Sequence, residues 1–578
     1  MNKWYKYIKP YLPYFILGPL CMIIEVIGEI YMPRLFARII NYGVLEKDAW
    51  YVTGVALFMI ITSIIMMLGG IGGAWFGAKA AVNFGSDLRK DIYKKIQKFS
   101  FSNIDKFSTG SLVTRLTNDV MQLQNFVNML LRMCLRAPGM LIGALIMAIT
   151  LNPRLAKILA IIIPLLLLTQ LVLIKLGFPR FSKMQAKIDA LNSNVQEGIT
   201  NIRVIKSFVR EKHEIDKFAK SNSDLKNATM SAMKIMIFIQ PIMTLFMNVT
   251  TLLVVWFGGK QVIVGDMLIG DLTSFITYIT QILSSLMMVS MLFLISSRAM
   301  ASAKRINEVL EEKVVLNDDN AKHKDKLIKK GEIVFSNVCF KYYKDNETNV
   351  LDNINLTIKA GETIGIIGST GCGKTTLVSM IPRLYDVDSG NVFIDGIDVK
   401  DYCLENLRNG VGMVLQKNTL FSGTIEENLR WGDEDADFET IRKMADNAQA
   451  DNFIMSFPQK YESDIGQGGT NVSGGQKQRL CIARALLKRP KIIILDDSTS
   501  AVDTATEAKI RKAFKEDLND STKIIIAQRI SSVKDADKII VMDNGRITGI
   551  GSHDELLKSN LEYQEIYNSQ IGKKEEEE

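Results

Sequence analysis

The chain has 578 residues, of which 47% are apolar, with a formal charge of +8 and a pI near 8.9. That length exceeds one ordinary domain and points to two large units. Six cysteines with no CxxC pair and no accompanying His cluster exclude a disulfide framework or a zinc site, and no nucleic-acid-binding motif accompanies the basic charge, so nucleic acid is excluded as a partner.

Residues Asn2 to Tyr11 set Lys among Trp and Tyr, which suits a membrane–water interface. The opening has the charge of a signal-peptide start. The apolar stretch after it holds Glu25 and Glu29 and lacks a small-x-small cleavage site, so a retained anchor is expected. Apolar stretches follow near 14–40, 52–78, 127–151, 155–178, 235–259 and 268–298. Each can supply the roughly 20 residues a spanning helix needs. The Asn152-Pro153-Arg154-Leu155 connection makes the third and fourth spans a tight hairpin.

Charge sets the orientation. Lys79, Arg89, Lys90, Lys94, Lys95 and Lys98 lie between spans two and three, and Arg180, Lys183, Lys187, Arg203, Lys206 and Arg210 between spans four and five. The alternate loops, 41–51, 152–154 and 260–267, hold few cations. The positive-inside rule then places the N-terminus, both long loops and everything after the last span in the cytoplasm. Both loops are polar, helix-patterned and poor in Gly and Pro, as cytoplasmic extensions of the membrane helices would be.

Four ionisable residues fall within the spans. Glu25 and Glu29 share one face of the first helix, and Arg132 and Arg136 share one face of the third. Groups at that depth pair, line a pathway or sit at the water interface. All three readings stand, and Glu25 with Arg136 is the predicted contact. The Met and Phe residues of spans five and six suit either an adaptable apolar cavity or ordinary lipid and helix contact.

Residues 311–330 are charged and poor in apolar side chains, as a linker would be. From Gly331 onward, short β-branched strands and Gly turns alternate with helices, an α/β pattern. There the strand Thr363–Ile367 runs into Gly368, Ser369, Thr370, Gly371, Cys372, Gly373, Lys374 and Thr375, with Thr376 following. This is GxxxxGK[ST] in its strand–loop–helix context. The glycines let backbone N–H groups turn toward phosphate oxygens. Lys374 suits the β- and γ-phosphates of ATP, and the Thr375 hydroxyl suits Mg²⁺. The apolar run Lys491 to Asp496 reads as a buried strand ending in the second Mg²⁺-linked carboxylate.

Between these motifs stands Ser473-Gly474-Gly475-Gln476, a turn opening a helix and a second anion site. It resembles the signature of ATP-binding cassette proteins, with Val472 where Leu is usual. Other positions agree in order. Tyr342 resembles the aromatic that stacks on adenine. Gln416 resembles the Q-loop glutamine that senses Mg²⁺, Asp503 belongs to a D-loop-like Ser500-Ala-Val-Asp503, and Gln528 stands in the H-loop position. Upstream, Thr109 to Asp119 and Gln196 to Phe208 resemble the two intracellular loops of B-type exporters.

The resemblance implies a six-helix transmembrane domain with long cytoplasmic extensions (1–310), a linker (311–330), an α/β P-loop nucleotide-binding domain (331–572) and a charged tail (573–578). It further implies a multi-pass protein of a bacterial plasma membrane, working as a dimer. Two ATP molecules, each with Mg²⁺, would be held between the P-loop of one chain and the signature turn of the other.

Two positions depart from the pattern. The family has Glu after the strand carboxylate and His in the H-loop, whereas this chain has Asp497 and Gln528. Both catalytic positions serve the chain's own site, while the signature turn that serves the partner is intact. This resembles the degenerate-site subunit of a heterodimeric exporter, which moves an amphipathic or hydrophobic small molecule across the lipid bilayer. The alternative is a regulatory ATP-binding subunit that gates a competent partner.

Overall fold

The computed structural model describes residues 2–319, 321–343, 348–497 and 504–575. The D-loop-like Ser500 to Asp503 lies outside them. The chain divides into two units, one of Met1–Ile96 with Gly110–Glu311, the other of Gln97–Thr109 with Glu312–Glu578.

Among the described residues of the first unit, six helical stretches are long and apolar enough to cross a bilayer: Trp4–Val44, Ala49–Gln97, Thr109–Leu151, Pro153–Thr200, Glu211–Val264 and Ile269–Val289. The helix Glu211–Val264 has 54 residues. At 1.5 Å per residue it is about 80 Å long, far more than the ~30 Å hydrocarbon layer, so most of it lies outside the membrane. Large apolar side chains such as Leu68, Ile161 and Leu171 are exposed along these helices, as lipid-facing surfaces require.

The hairpin predicted at Asn152 is present, and its cause is a cap. The Asn152 Oδ1 accepts from the N–H of Arg154 (3.0 Å) and of Leu155 (3.1 Å), and Pro153 occupies the first helical position.

Pro33 interrupts the first long helix without breaking it. Lacking an N–H, it leaves the carbonyl of Glu29 without its helical donor, and Gln281 Nε2 donates there instead at 3.0 Å. One residue on, the Tyr278 hydroxyl donates to the Ile30 carbonyl at 2.8 Å. The helix Ile269–Glu311 is thereby fastened to the first.

Arg136 meets both acidic residues, Glu25 through Nη1 to Oε1 at 3.0 Å and Glu29 through Nη2 to Oε2 at 3.2 Å. The helix faces predicted this contact. Arg132 is not drawn into it and lies against Gly77.

Among its described residues the second unit contains twelve strands: β1 Ile333–Phe340, β2 Leu351–Ile358, β3 Thr363–Gly368, β4 Ser389–Ile394, β5 Ile397–Asp398, β6 Val411–Val414, β7 Gly423–Thr424, β8 Asp464–Ile465, β9 Ile492–Asp496, β10 Thr522–Ile526, β11 Lys538–Asp543 and β12 Arg546–Gly551. The larger sheet has the order β12-β11-β3-β10-β9-β6, parallel except at its β12 edge. Alternate residues of the central strands enter opposite cores. Ile493 and Leu495 join one, and Ile492 and Ile494 join the other. Burial on both faces explains the unbroken apolar runs of β9 and β10. The smaller antiparallel sheet has the order β2-β1-β4-β5.

Two segments behave differently from their sequence pattern. Residues 311–330 read as a linker, yet Leu316, Ala321 and Ile328 are buried and the His323 N–H donates to the Asp401 carbonyl at 2.8 Å. The short helix Phe101–Lys106 belongs to the second unit. Tyr385 donates to its Asp105 at 2.8 Å, and Asn103 donates to the Lys313 carbonyl at 2.9 Å.

Candidate nucleotide site

In a parallel sheet the loops that leave the carboxyl ends of the strands collect at one edge, where such folds bind ligands. In this sheet Ile366 pairs with Ile526, and Ile526 with Asp496. The continuations of β3, β9 and β10 therefore emerge side by side. They are the phosphate loop, Asp496-Asp497 and Ala527-Gln528.

The loop geometry demands glycine. Gly373 has φ of +100°, and a Cβ there would stand 2.9 Å from the Val350 carbonyl oxygen. A Cβ on Gly368 would come within 2.1 Å of the Met542 carbonyl oxygen. Lys374 folds over the loop, its ammonium donating to the carbonyls of Gly368 (2.8 Å) and Ser369 (2.7 Å). Cys372 is buried beneath it. The Tyr342 hydroxyl and Thr376 Oγ1 lie 2.9 Å apart, which sets the aromatic ring beside the loop.

Thr375 Oγ1 donates to Asp496 Oδ1 at 3.0 Å, while Asp496 Oδ2 is buried with no hydrogen-bond partner. Burial pushes the Asp496 carboxyl above the usual carboxylate range and the charge of Asp497 adds to this, against the Thr375 hydrogen bond and Lys374. A hydroxyl beside a buried carboxylate oxygen that lacks a partner fits Mg²⁺. That ion takes one or two protein oxygens and completes its shell with phosphate and water.

Asp497 has φ of +47°, in the left-handed region. Its Oδ2 accepts from Gln528 Nε2 at 2.7 Å. Burial raises its carboxyl, opposed by the Gln528 hydrogen bond, Lys374 and Gln416. Gln528 is thus hydrogen-bonded to the Asp497 carboxylate, and Gln416 lies near it.

The Ser473 turn is built otherwise. Ser473 caps the helix Gly474–Leu487 in a reciprocal box, Gln476 N–H donating to Ser473 Oγ at 3.3 Å and Ser473 N–H to Gln476 Oε1 at 2.9 Å. Val472 is buried in the core and anchors the turn, while Ser473 and Gly474 are exposed. No atom lies within 4 Å of a Cβ placed on Gly474.

Sequence reasoning missed Gln478 and Gln570. Gln478 is buried below the signature turn, and Gln570 hydrogen-bonds the Gln528 backbone from the C-terminal helix. Gln478 is adjacent to a recognised motif, which is a signal. Gln570, 42 residues from its partner, has none.

A helical membrane unit joined to an α/β unit with a phosphate loop and a signature turn is the architecture of an ATP-driven transporter. A family model described as the ABC transporter transmembrane region matches residues 15–286, and one described as ABC transporter matches residues 351–500. YfiB of Bacillus subtilis (strain 168), an ABC transporter ATP-binding protein by description, is 39% identical over 573 residues, covering 99% of each chain. Rv1273c of Mycobacterium tuberculosis, described in the same terms, is 36% identical over 569 residues, covering 98% of this chain and 97% of its own. A bacterial Atm1-family ABC exporter with ATP bound superposes with a TM-score of 0.79 at 24% identity, over 97% of this chain and 98% of that one, a likeness of fold. The chain belongs to the ABC transporter family. It joins a six-span membrane domain to an ATPase domain of a class that binds ATP, generally with Mg²⁺.

Proposed function

We propose that this chain is one half of a heterodimeric exporter that drives an amphipathic or hydrophobic compound across a bacterial plasma membrane, and that its own nucleotide site holds ATP but hydrolyses it slowly. The observation that carries this reading is the Gln528–Asp497 hydrogen bond of 2.7 Å. Hydrolysis needs a carboxylate free to orient the attacking water and a group that meets the γ-phosphate. In this chain the carboxylate is one methylene shorter than Glu, and its neighbour is an amide. That amide donates to the carboxylate itself and cannot take the charge of an imidazolium. A displacement of about 1 Å can cost on the order of 10²-fold in rate.

The other roles follow from position. Lys374 with the backbone of Gly368 to Gly373 would hold the β- and γ-phosphates, and Tyr342 would stack on adenine. Thr375, Asp496 and Gln416 would hold Mg²⁺, which neutralises phosphate charge when bound. Ser473 and Gly474 are exposed, and with Gly475 and Gln476 they would complete the partner's site, as would Asp503 by its resemblance to the D-loop. The nucleotide-binding domain and N-terminus would face the cytoplasm.

A second observation supports a partner chain. The helix Ile202–Ser207 and the two residues after it leave Phe208 72% and Val209 79% exposed, beside Arg203, Lys206 and Arg210. Apolar side chains on a polar cytoplasmic loop suit contact with another protein. The test is ATPase activity of the purified chain alone and with the chain that co-purifies. Slow turnover alone and fast turnover in the pair is the expected result. A fully active homodimer would overturn the heterodimer.

A further inference from the structure

Gln528 lies just beyond β10, where sheet pairing ends with the Ala527 N–H donating to the Ile366 carbonyl at 3.2 Å. From there the backbone is held by one side chain. Gln570 Nε2 donates to the Gln528 carbonyl at 2.8 Å, and Gln570 Oε1 accepts the Ile530 N–H at 3.0 Å. Both ends of a single amide thus brace the peptides on either side of Arg529. Just past them, Arg511 Nη1 donates to the carbonyls of Ser531 (2.9 Å) and Ser532 (3.1 Å).

The brace rests on a fixed support. Gln570 projects from the C-terminal helix Leu561–Glu575. Tyr563 of that helix is fully buried, with its hydroxyl 2.7 Å from His553 Nδ1. Its N–H donates to Asn560 Oδ1 at 2.8 Å. A side chain on an anchored helix can hold a strand-end loop within the few tenths of an ångström that a short hydrogen bond needs. Without the brace, residues 528–530 would recover backbone freedom, and the Gln528 amide would no longer be aimed at Asp497.

We propose that Gln570 is a positioning residue for the nucleotide site of this chain. Through the Gln528 peptide it fixes the Gln528 side chain against Asp497, so the C-terminal helix sets the geometry on the γ-phosphate side. The proposal rests on the reading that Gln528 faces the nucleotide held by Lys374. It is separable from the claim of slow hydrolysis, which ATPase of an Asp497 variant decides.

The experiment is a double-mutant cycle on the full-length transporter, purified with its partner chain. It reads the release rate of TNP-ATP with Mg²⁺ for Gln570→Ala, Gln528→Ala and the double variant. Each single change is expected to speed release roughly three- to tenfold, from the modest net worth of one or two hydrogen bonds. The double variant should release no faster than the faster single, because both changes act on one coupled unit. The thermal unfolding midpoint should stay in place. Gln570→Glu keeps an acceptor for the Ile530 N–H but sets a carboxylate oxygen against the Gln528 carbonyl, so its release should be at least as fast as in Gln570→Ala; it also carries the test if the alanine variant misfolds. Unchanged release in Gln570→Ala, full additivity, or faster release only alongside a lowered midpoint would each overturn the proposal.

Discussion

The phosphate loop and the signature turn are both glycine-bearing turns that open a helix, yet they are built to opposite ends. The loop is closed on itself. Lys374 bonds two loop carbonyls, Cys372 is buried, and Thr375 is tied to Asp496. The signature turn is open, with Ser473 and Gln476 joined in its capping box and Gly474 facing free space. Asp497 and Gln528 gather beside the closed element, while the open one keeps Ser473, Gly474 and Gly475, with Val472 before them where Leu is usual. On the proposed reading, one chain presents a sound half-site to a partner while keeping an altered one for itself.

The largest expected effect breaks the open element. Gly474→Asp meets no steric obstacle and places a carboxylate where the partner's phosphates would bind. ATPase of the assembled transporter should fall by on the order of 10²-fold or more, the scale of losing a key electrostatic contact to phosphate. Full activity would detach the turn from the competent site. Lys374→Ala comes next. It should abolish nucleotide photolabelling of this chain, since the main cation on the phosphates is gone, while the assembled ATPase falls less than in Gly474→Asp. Undiminished labelling would refute the assignment. A smaller effect in the other direction sharpens the contrast. Asp497→Glu with Gln528→His should raise turnover several-fold, and more than either change alone, because the two side chains are hydrogen-bonded and couple. Strict additivity would remove the coupling.

The closed element was legible because its motif is contiguous and its strand–loop–helix context is local. The six spans were legible because lipid demands long apolar runs. The Glu25–Arg136 contact could be predicted because unpaired charge is costly in a membrane, whereas Arg132, of the same type and face, took a different course against Gly77. Three features were not legible. The helix Phe101–Lys106 joins the nucleotide unit through contacts such as Asp105 with Tyr385, 280 residues apart. The segment 312–330 folds onto that unit with only a few apolar anchors, too sparse to register as a pattern. Gln570 acts through a backbone carbonyl, which carries no sequence signature.

The most direct test of the asymmetry is steady-state ATPase of the purified pair with Asp497→Asn, set against the equivalent change at the partner's carboxylate. If this site hydrolyses little, removing its carboxylate should cost less than about twofold, while the partner's change should cost on the order of 10²-fold or more. An equal, large loss from Asp497→Asn would contradict the account.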